Sequence, residues 1–369
     1  MLHQSPTLIH VVPQLKPGRC GVTDHVLPLA AELKGAFGVG SGFVVLNSDA
    51  RCDLPYPVVH CEQAELLDSC LKVTEDRKGA MLVHVSGYGY SADGVPAQLA
   101  DAMARVRRDG RFRMAAYVHE VSASGMPWTT AFWNSRRQKD AVRRIAKSCD
   151  LVVTNISAHA EQLASEKKRE AAAPVQVLPV FSTVGEALAR NPMGGRRRDM
   201  VVFGLPARRR RAYEELHSLS GLMTSLGITE IVDIGTGSEA PETVHGIGVK
   251  RRGELDPSEV AREVSRAMFG FISYPANCLG KSSIFAAYCA HGTVPVIARP
   301  FSGVIDGLRD GVHLLSPETA RKALESGLDA CSLAAWQWYS GHRVHVHAET
   351  YASWLEQPAQ EIVSVEAGR

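Results

Sequence analysis

The chain has 369 residues, 45% hydrophobic and 22% charged, with a formal net charge of +2. That length supports two domains of ordinary size, each with its own core, and the composition is that of a soluble globular protein. The near-neutral balance argues against a general nucleic-acid binder. No apolar stretch reaches the roughly 18 residues of a membrane span, and the N-terminus lacks a basic region followed by a long apolar run. The expected location is therefore cytoplasmic. Eight cysteines are scattered without a CxxC pair, so neither a zinc site nor a disulfide framework is expected.

Thr7 to Pro13 (TLIHVVP) is rich in β-branched residues and predicts the first strand. The turn Pro17 to Asp24 (PGRCGVTD) then opens a helix. Gly18 and Gly21 let the backbone approach a ligand there, and a helix N-terminus favours negative charge. An ordinary strand-to-helix turn uses the same residues. Phe43 to Leu46, Met81 to Val85, Met114 to Val118, Leu151 to Thr154 and Val175 to Pro179 are further short apolar runs, with helical patterns in most gaps. Such alternation predicts a parallel, doubly wound α/β sheet.

Three features of this half carry chemistry. Tyr88 and Tyr90 lie in a glycine-rich loop (SGYGYSADGVP). His119 follows the fourth predicted strand, and ligands bind at the carboxyl ends of such strands; the competing reading is a histidine that caps the next loop. Met126 to Gln138 (MPWTTAFWNSRRQ) spaces Trp128, Phe132 and Trp133 at near-helical intervals. They form either a face packed on the core or a platform on which the C–H face of a sugar stacks.

Asn191 to Asp199 (NPMGGRRRD) lacks periodicity and reads as a linker. Beyond it Met200 to Phe203, Ile231 to Ile234, Gly246 to Val249, Phe269 to Ser273 and Val294 to Ala298 restart the alternation. The expected organisation is an N-terminal Rossmann-like domain (1–190), a linker (191–199), a second Rossmann-like domain (200–340) and a helical segment (341–369). Gly204 leads into Leu205 to Arg211 (LPARRRR). Arginine's fork matches phosphate oxygens, so Arg208 and Arg209 are anion-ligand candidates; a solvated or RNA-contacting run is the alternative. Gly235-Thr236-Gly237 closes another strand. Gly280-Lys281-Ser282-Ser283 sets a cation and two hydroxyls at a helix N-terminus, as an anion site or as a capped helix. Proline at 275 rules out the spacing of a P-loop. His342, His345 and His347 lack a carboxylate or cysteine at useful spacing, so no metal site is expected. No GxSxG element is visible.

Tyr274 to Gly311 (YPANCLGKSSIFAAYCAHGTVPVIARPFSGVIDGLRDG) resembles the sugar-nucleotide-binding half of GT-B glycosyltransferases, especially the retaining family 4 (glycosyltransferase group 1) type. That family reads P…EGFG…EA…G.PV…GG..E…DG over this stretch. GVTDHVLPLA (residues 21–30) is similar to its GG…H…LA element. The resemblance implies two Rossmann-like domains facing a central cleft, with the C-terminal helical segment crossing back to the first. It implies transfer of a sugar from a nucleotide-sugar donor to a glycan or lipid-linked acceptor, retaining and metal-independent, with no cofactor. On that reading His119 and Lys281 are catalytic. Gly18, Gly21, Gly204, Arg208, Arg209, Gly280, Ser282 and Ser283 bind the donor, with Arg19 and Asp24 near the cleft. Tyr88, Trp128 and Trp133 bind the acceptor. Peripheral contact with the inner membrane face stays open, and nucleic acid is not an expected partner. The chain departs from the pattern at both family glutamates, which fall on Leu279 and Ala287. A second reading follows, a non-catalytic GT-B protein that binds a sugar or a partner enzyme. Sugar-nucleotide epimerisation is a third.

Overall fold

The computed structural model describes residues 7–18, 20–47, 53–123, 128, 130–164, 175–237 and 240–357. The chain divides into two compact units: Met1–Thr154, His159–Val177 and His345–Arg369 form the first, Asn155–Ala158 and Leu178–Val344 the second.

The first unit is built on seven parallel strands: β1 (Thr7–Val12), β2 (Gly40–Val45), β3 (Val58–His60), β4 (Gly79–Val85), β5 (Phe112–Val118), β6 (Leu151–Thr154) and β7 (Val175–Val177). Their spatial order is β3-β2-β1-β4-β5-β6-β7. Side chains alternate between the faces of a strand. Ile9, Val11, Met81, Val83, Val85, Met114 and Ala116 therefore share one face, with a core that also takes Leu99, Met103, Val142 and Ile145. These come from α4 (Ala97–Asp109) and α5 (Thr130–Lys147), which follow α1 (Gly21–Phe37), α2 (Leu66–Val73) and α3 (Gly87–Tyr90). On the opposite face Val12, Phe43 and Val45 pack with Val22, Val26 and Ala30 of α1. Gly38 ends α1 at φ +65°, returning its N–H to Leu33 O, a left-handed cap that glycine adopts without strain. The chain continues through α6 (Ser157–Ala164) into β7.

The second unit holds β8 (Arg197–Phe203), β9 (Glu230–Ile234), β10 (Thr243–Val244), β11 (Ile247–Arg251), β12 (Ala267–Ile272) and β13 (Val294–Ile297). The order is β10-β11-β9-β8-β12-β13, parallel except for the β10–β11 pair. Met200, Val202, Ile231, Phe269, Phe271, Val294 and Val296 meet Tyr213 and Leu216 of α7 (Pro206–Leu216) and Met223 and Leu226 of α8 (Ser220–Leu226). Next come α9 (Pro257–Arg266), α10 (Ser283–Ala290), α11 (Ala320–Ser326) and α12 (Leu328–Ser340). Asp256 and Glu259 close a capping box on α9, with Pro257 in its first turn, a strong start signal. The last helix, α13 (Val344–Glu356), lies in the first unit from His345 onward. There Arg113 of β5 donates to Leu355 O (3.1 Å) and Gln357 O (2.6 Å) and stacks on Trp354.

Several strand bounds differ from the apolar runs of the sequence, those of β8, β3, β10 and β7 among them. β8 starts at Arg197, three residues before its apolar stretch, because Arg197 is held by Asp199 and Glu263. The edge strands β3 and β10 are too short to show a pattern. β7 stops at Val177, short of Pro179. Among the described residues no helix is long and apolar enough to cross a membrane.

Candidate functional site

In the second unit β8 and β12 are neighbours, so the turns at their carboxyl ends come together. Gly204 (φ +126°) follows β8, and a Cβ on it would lie 2.8 Å from Ile284 Cδ1 of α10. Glycine there allows the β8 turn to approach α10. Pro206 then starts α7. Arg208 is exposed, with its guanidinium 5.0 Å from the centre of the Tyr274 ring, and Tyr274 is two residues past β12. The structure thus brings Arg208 and Gly204 to the 274–284 segment.

Arg209 goes the other way. It is fully buried, pairs with Asp233 of β9 and donates to Thr236 O and to Gly204 O (3.1 Å). Tyr213 donates to the other Asp233 oxygen (2.8 Å), and burial raises its phenol well above the usual range. Arg209 therefore ties the Gly204 tip to the GTG tip. Gly235 (φ +147°) fits beneath it, because a Cβ would lie 2.5 Å from Gly204 O and 2.7 Å from Arg209 Nε.

Gly280 lies in the last part of a 3-10 turn, Ala276–Lys281. Its carbonyl accepts from Val180 N–H (2.9 Å), and a Cβ would lie 2.6 Å from Asn155 O. This glycine answers a close chain contact. Ser282 caps α10: its hydroxyl accepts Phe285 N–H at 3.2 Å, and its own N–H donates to Leu279 O. Lys281 and Ser283 flank it, partly exposed. Leu279 and Ala287 are buried. Asp306 (φ +50°) accepts Ser157 N–H at 2.7 Å, and Asp310 accepts from Thr319 Oγ1 at 2.6 Å.

In the first unit the loop after β1 is tied to α1. Thr23 Oγ1 donates to Gln14 O and accepts Lys16 N–H, both at 3.0 Å. Asp24 accepts Gly18 N–H at 2.7 Å, which opposes the upward push of burial on its carboxyl. Gly18 (φ +71°) and Gly21 are exposed, and a Cβ on either would meet nothing within 4 Å. Arg19, Met126 and Pro127 lie outside the described residues. Trp128 and Trp133 are 77% and 71% exposed, and Tyr88 50%. Phe132 and Trp133 meet edge to face, 5.6 Å apart. These rings stand on the surface instead of packing on the core.

His119, just past β5, is partly exposed, and behind it lies a feature the sequence did not signal. Its Nε2 is 3.4 Å from His84 Nδ1, in a group with His10, His25 and His347. The one available clue was a histidine at the middle of two apolar strand runs, LIHVV and LVHV. The three late histidines separate: His345 pairs with Glu32 (2.7 Å), His347 joins that group, and His342 packs on Trp338. Among the described residues no cluster of three or more histidine, cysteine or acidic side chains is arranged to hold a metal ion.

No family model matches the chain, and no curated protein sequence does. Solved structures do. An alpha-glucosyltransferase in complex with UDP-glucose and DNA is 12% identical, with TM-score 0.59 over 95% of this chain and 98% of its own. A trehalose-6-phosphate structure from E. coli bound with UDP-2-fluoro glucose is 11% identical, TM-score 0.61, over 95% and 99%. A putative UDP-N-acetylglucosamine 2-epimerase from Listeria monocytogenes is 12% identical, TM-score 0.59, over 96% and 98%. What this chain shares with them is the GT-B fold of two Rossmann-like units; a reaction has to be argued from its own residues.

Proposed function

We propose that the protein is a glycosyltransferase that moves a sugar from a nucleotide-sugar donor to a glycan or lipid-linked acceptor. The observation that carries this is the grouping at the carboxyl edge of the second sheet. The Gly204 turn, the exposed Arg208 on Tyr274, Lys281 and the Ser282-capped start of α10 lie together there. In the reaction the bond between the anomeric carbon and the nucleoside diphosphate breaks, a bond to an acceptor hydroxyl oxygen forms, that hydroxyl's proton passes to the leaving diphosphate oxygen, and the nucleoside diphosphate departs with negative charge. Arg208 and Lys281 stabilise that charge as it develops, with Ser283 at the positive end of α10. Arg209 holds the Gly204 and GTG tips in shape. Gly18 and Gly21 give the first unit a loop that approaches the donor, His119 contacts the donor sugar, and Tyr88, Trp128 and Trp133 supply the stacking surface for the acceptor. A retaining course without a metal is part of the proposal and rests on the resemblance. So does the assignment to polysaccharide synthesis.

The second reading, a sugar-binding protein without catalysis, is favoured by one observation. The positions of both family glutamates are filled by packed apolar side chains, Leu279 and Ala287. Release of nucleoside diphosphate from nucleotide sugars separates the two. A transferase releases it, and loses about 10²-fold in rate on Arg208→Ala if that cation meets the leaving group. Binding of a nucleotide sugar without turnover under any acceptor would support the second reading.

A further inference from the structure

Ser41, His10, His84 and His119 form one line across four neighbouring strand positions in the first sheet, β2, β1, β4 and the end of β5. Ser41 Oγ is 3.2 Å from His10 Nε2. His10 Nδ1 is 3.4 Å from His84 Nε2, and His84 Nδ1 is 3.4 Å from His119 Nε2. The register explains the alignment. His10 stands beside Phe43 and Leu82, and His84 beside Tyr117. Residues of matching phase in parallel strands share a face. Ser41, His10 and His84 are buried, whereas His119 is partly exposed. The rings around the line are Phe43, stacked on His10, together with His25 of α1, Tyr117 of β5 and His347 of α13.

Burial moves His10 down to about 3 and His84 well below the usual histidine range, so both are neutral at physiological pH. A neutral imidazole carries one N–H and one lone pair. Each nitrogen-to-nitrogen contact therefore needs one donor and one acceptor, and the line runs in one of two directions. If His119 donates inward, His119, His84 and His10 all carry the proton on Nε2, and Ser41 accepts. If Ser41 donates outward, all three carry it on Nδ1. A mixed pattern sets two N–H groups or two lone pairs against each other.

We propose that Ser41, His10 and His84 are positioning residues that fix which ring nitrogen of His119 carries its proton, and so present His119 to the donor sugar in one tautomer. The link to the sugar rests on the transferase reading; the coupling of tautomers does not.

The test is long-range proton–nitrogen correlation NMR on protein labelled with 15N-histidine, with resonances assigned from His10→Gln, His84→Gln and His119→Gln. The expected result is a single shared tautomer at residues 10, 84 and 119, read at a pH where all three rings are neutral. Ser41→Ala leaves only a methyl beside His10 Nε2, so all three rings should then hold the proton on Nδ1. Ser41→Thr keeps the hydroxyl and should restore the wild-type pattern. A ring whose tautomer opposes its neighbours', a charged His10 or His84 at neutral pH, or a change at His10 that does not reach His119 would overturn the proposal. The two serine variants keep it testable if a histidine variant fails to fold. Because the readout uses no nucleotide sugar, it fails separately from the functional reading. That reading of His119 falls instead if His119→Ala binds nucleotide sugar as tightly as wild type.

Discussion

Arg208 and Arg209 are adjacent, yet one guanidinium lies exposed over an aromatic ring and the other is sealed beneath a loop. Helical phase divides them. Arg209, Ala212, Tyr213 and Leu216 are the buried residues of α7, an i, i+3, i+4, i+7 stripe. Removing one partner of a buried ion pair strands the other, at about 3–5 kcal/mol. Arg209→Ala should therefore lower stability in denaturant titration by about that much, while Arg208→Ala stays within about 0.5 kcal/mol, as expected of a surface change. Equal losses would contradict the division of labour. The stripe was present in the sequence, but four consecutive arginines hide which one shares its phase.

Elements were legible where an apolar run met a turn signal, as at Thr7–Val12, Gly79–Val85 and Val294–Ile297. They were illegible where another element supplies the reason for a residue. Gly270, inside β12, is such a case: a Cβ there would run into the Tyr288 ring of α10, whose hydroxyl bonds to Val201 O and Phe271 O. Gly270→Ala overpacks this contact and should cost about 1–3 kcal/mol, read as a lowered unfolding midpoint with unchanged helix content. Arg113 is similar, since its partners lie some 240 residues on, at Leu355 and Gln357. Arg113→Ala should speed hydrogen exchange in α13 more than elsewhere in the first unit; uniform exchange would show that the helix is held by other contacts. The histidine line behind His119 escaped for the same reason, because its members lie on separate strands and only the sheet order makes them neighbours.

At the scale of the whole molecule, the repeated strand–helix alternation sufficed to predict two Rossmann-like units, whereas the site depends on which turns meet at the carboxyl ends of the strands. Acid sensitivity belongs to this scale. In the first unit His10, His25 and His84 are held neutral by burial, below the ordinary value of 6.5. The unfolded chain therefore binds more protons than the folded one below about pH 6.5, and stability rises with pH through that window. It should be complete above about pH 6.5 and fall steeply toward pH 4, with up to three protons taken up per unfolding event, one for each of these side chains. Denaturant midpoints measured from pH 4 to 8 would show it, and a flat profile would mean that these rings charge in place.

The central claim is that the carboxyl edge of the second sheet holds a nucleotide sugar, and thermal unfolding against a panel of nucleoside diphosphates and nucleotide sugars tests it most directly. A ligand present at 100 times its Kd adds about 2.7 kcal/mol to the folded state. The account predicts a raised Tm selective for one nucleotide, diminished by Arg208→Ala and by Lys281→Ala. A well-folded protein whose Tm is unmoved by every member of the panel would contradict it.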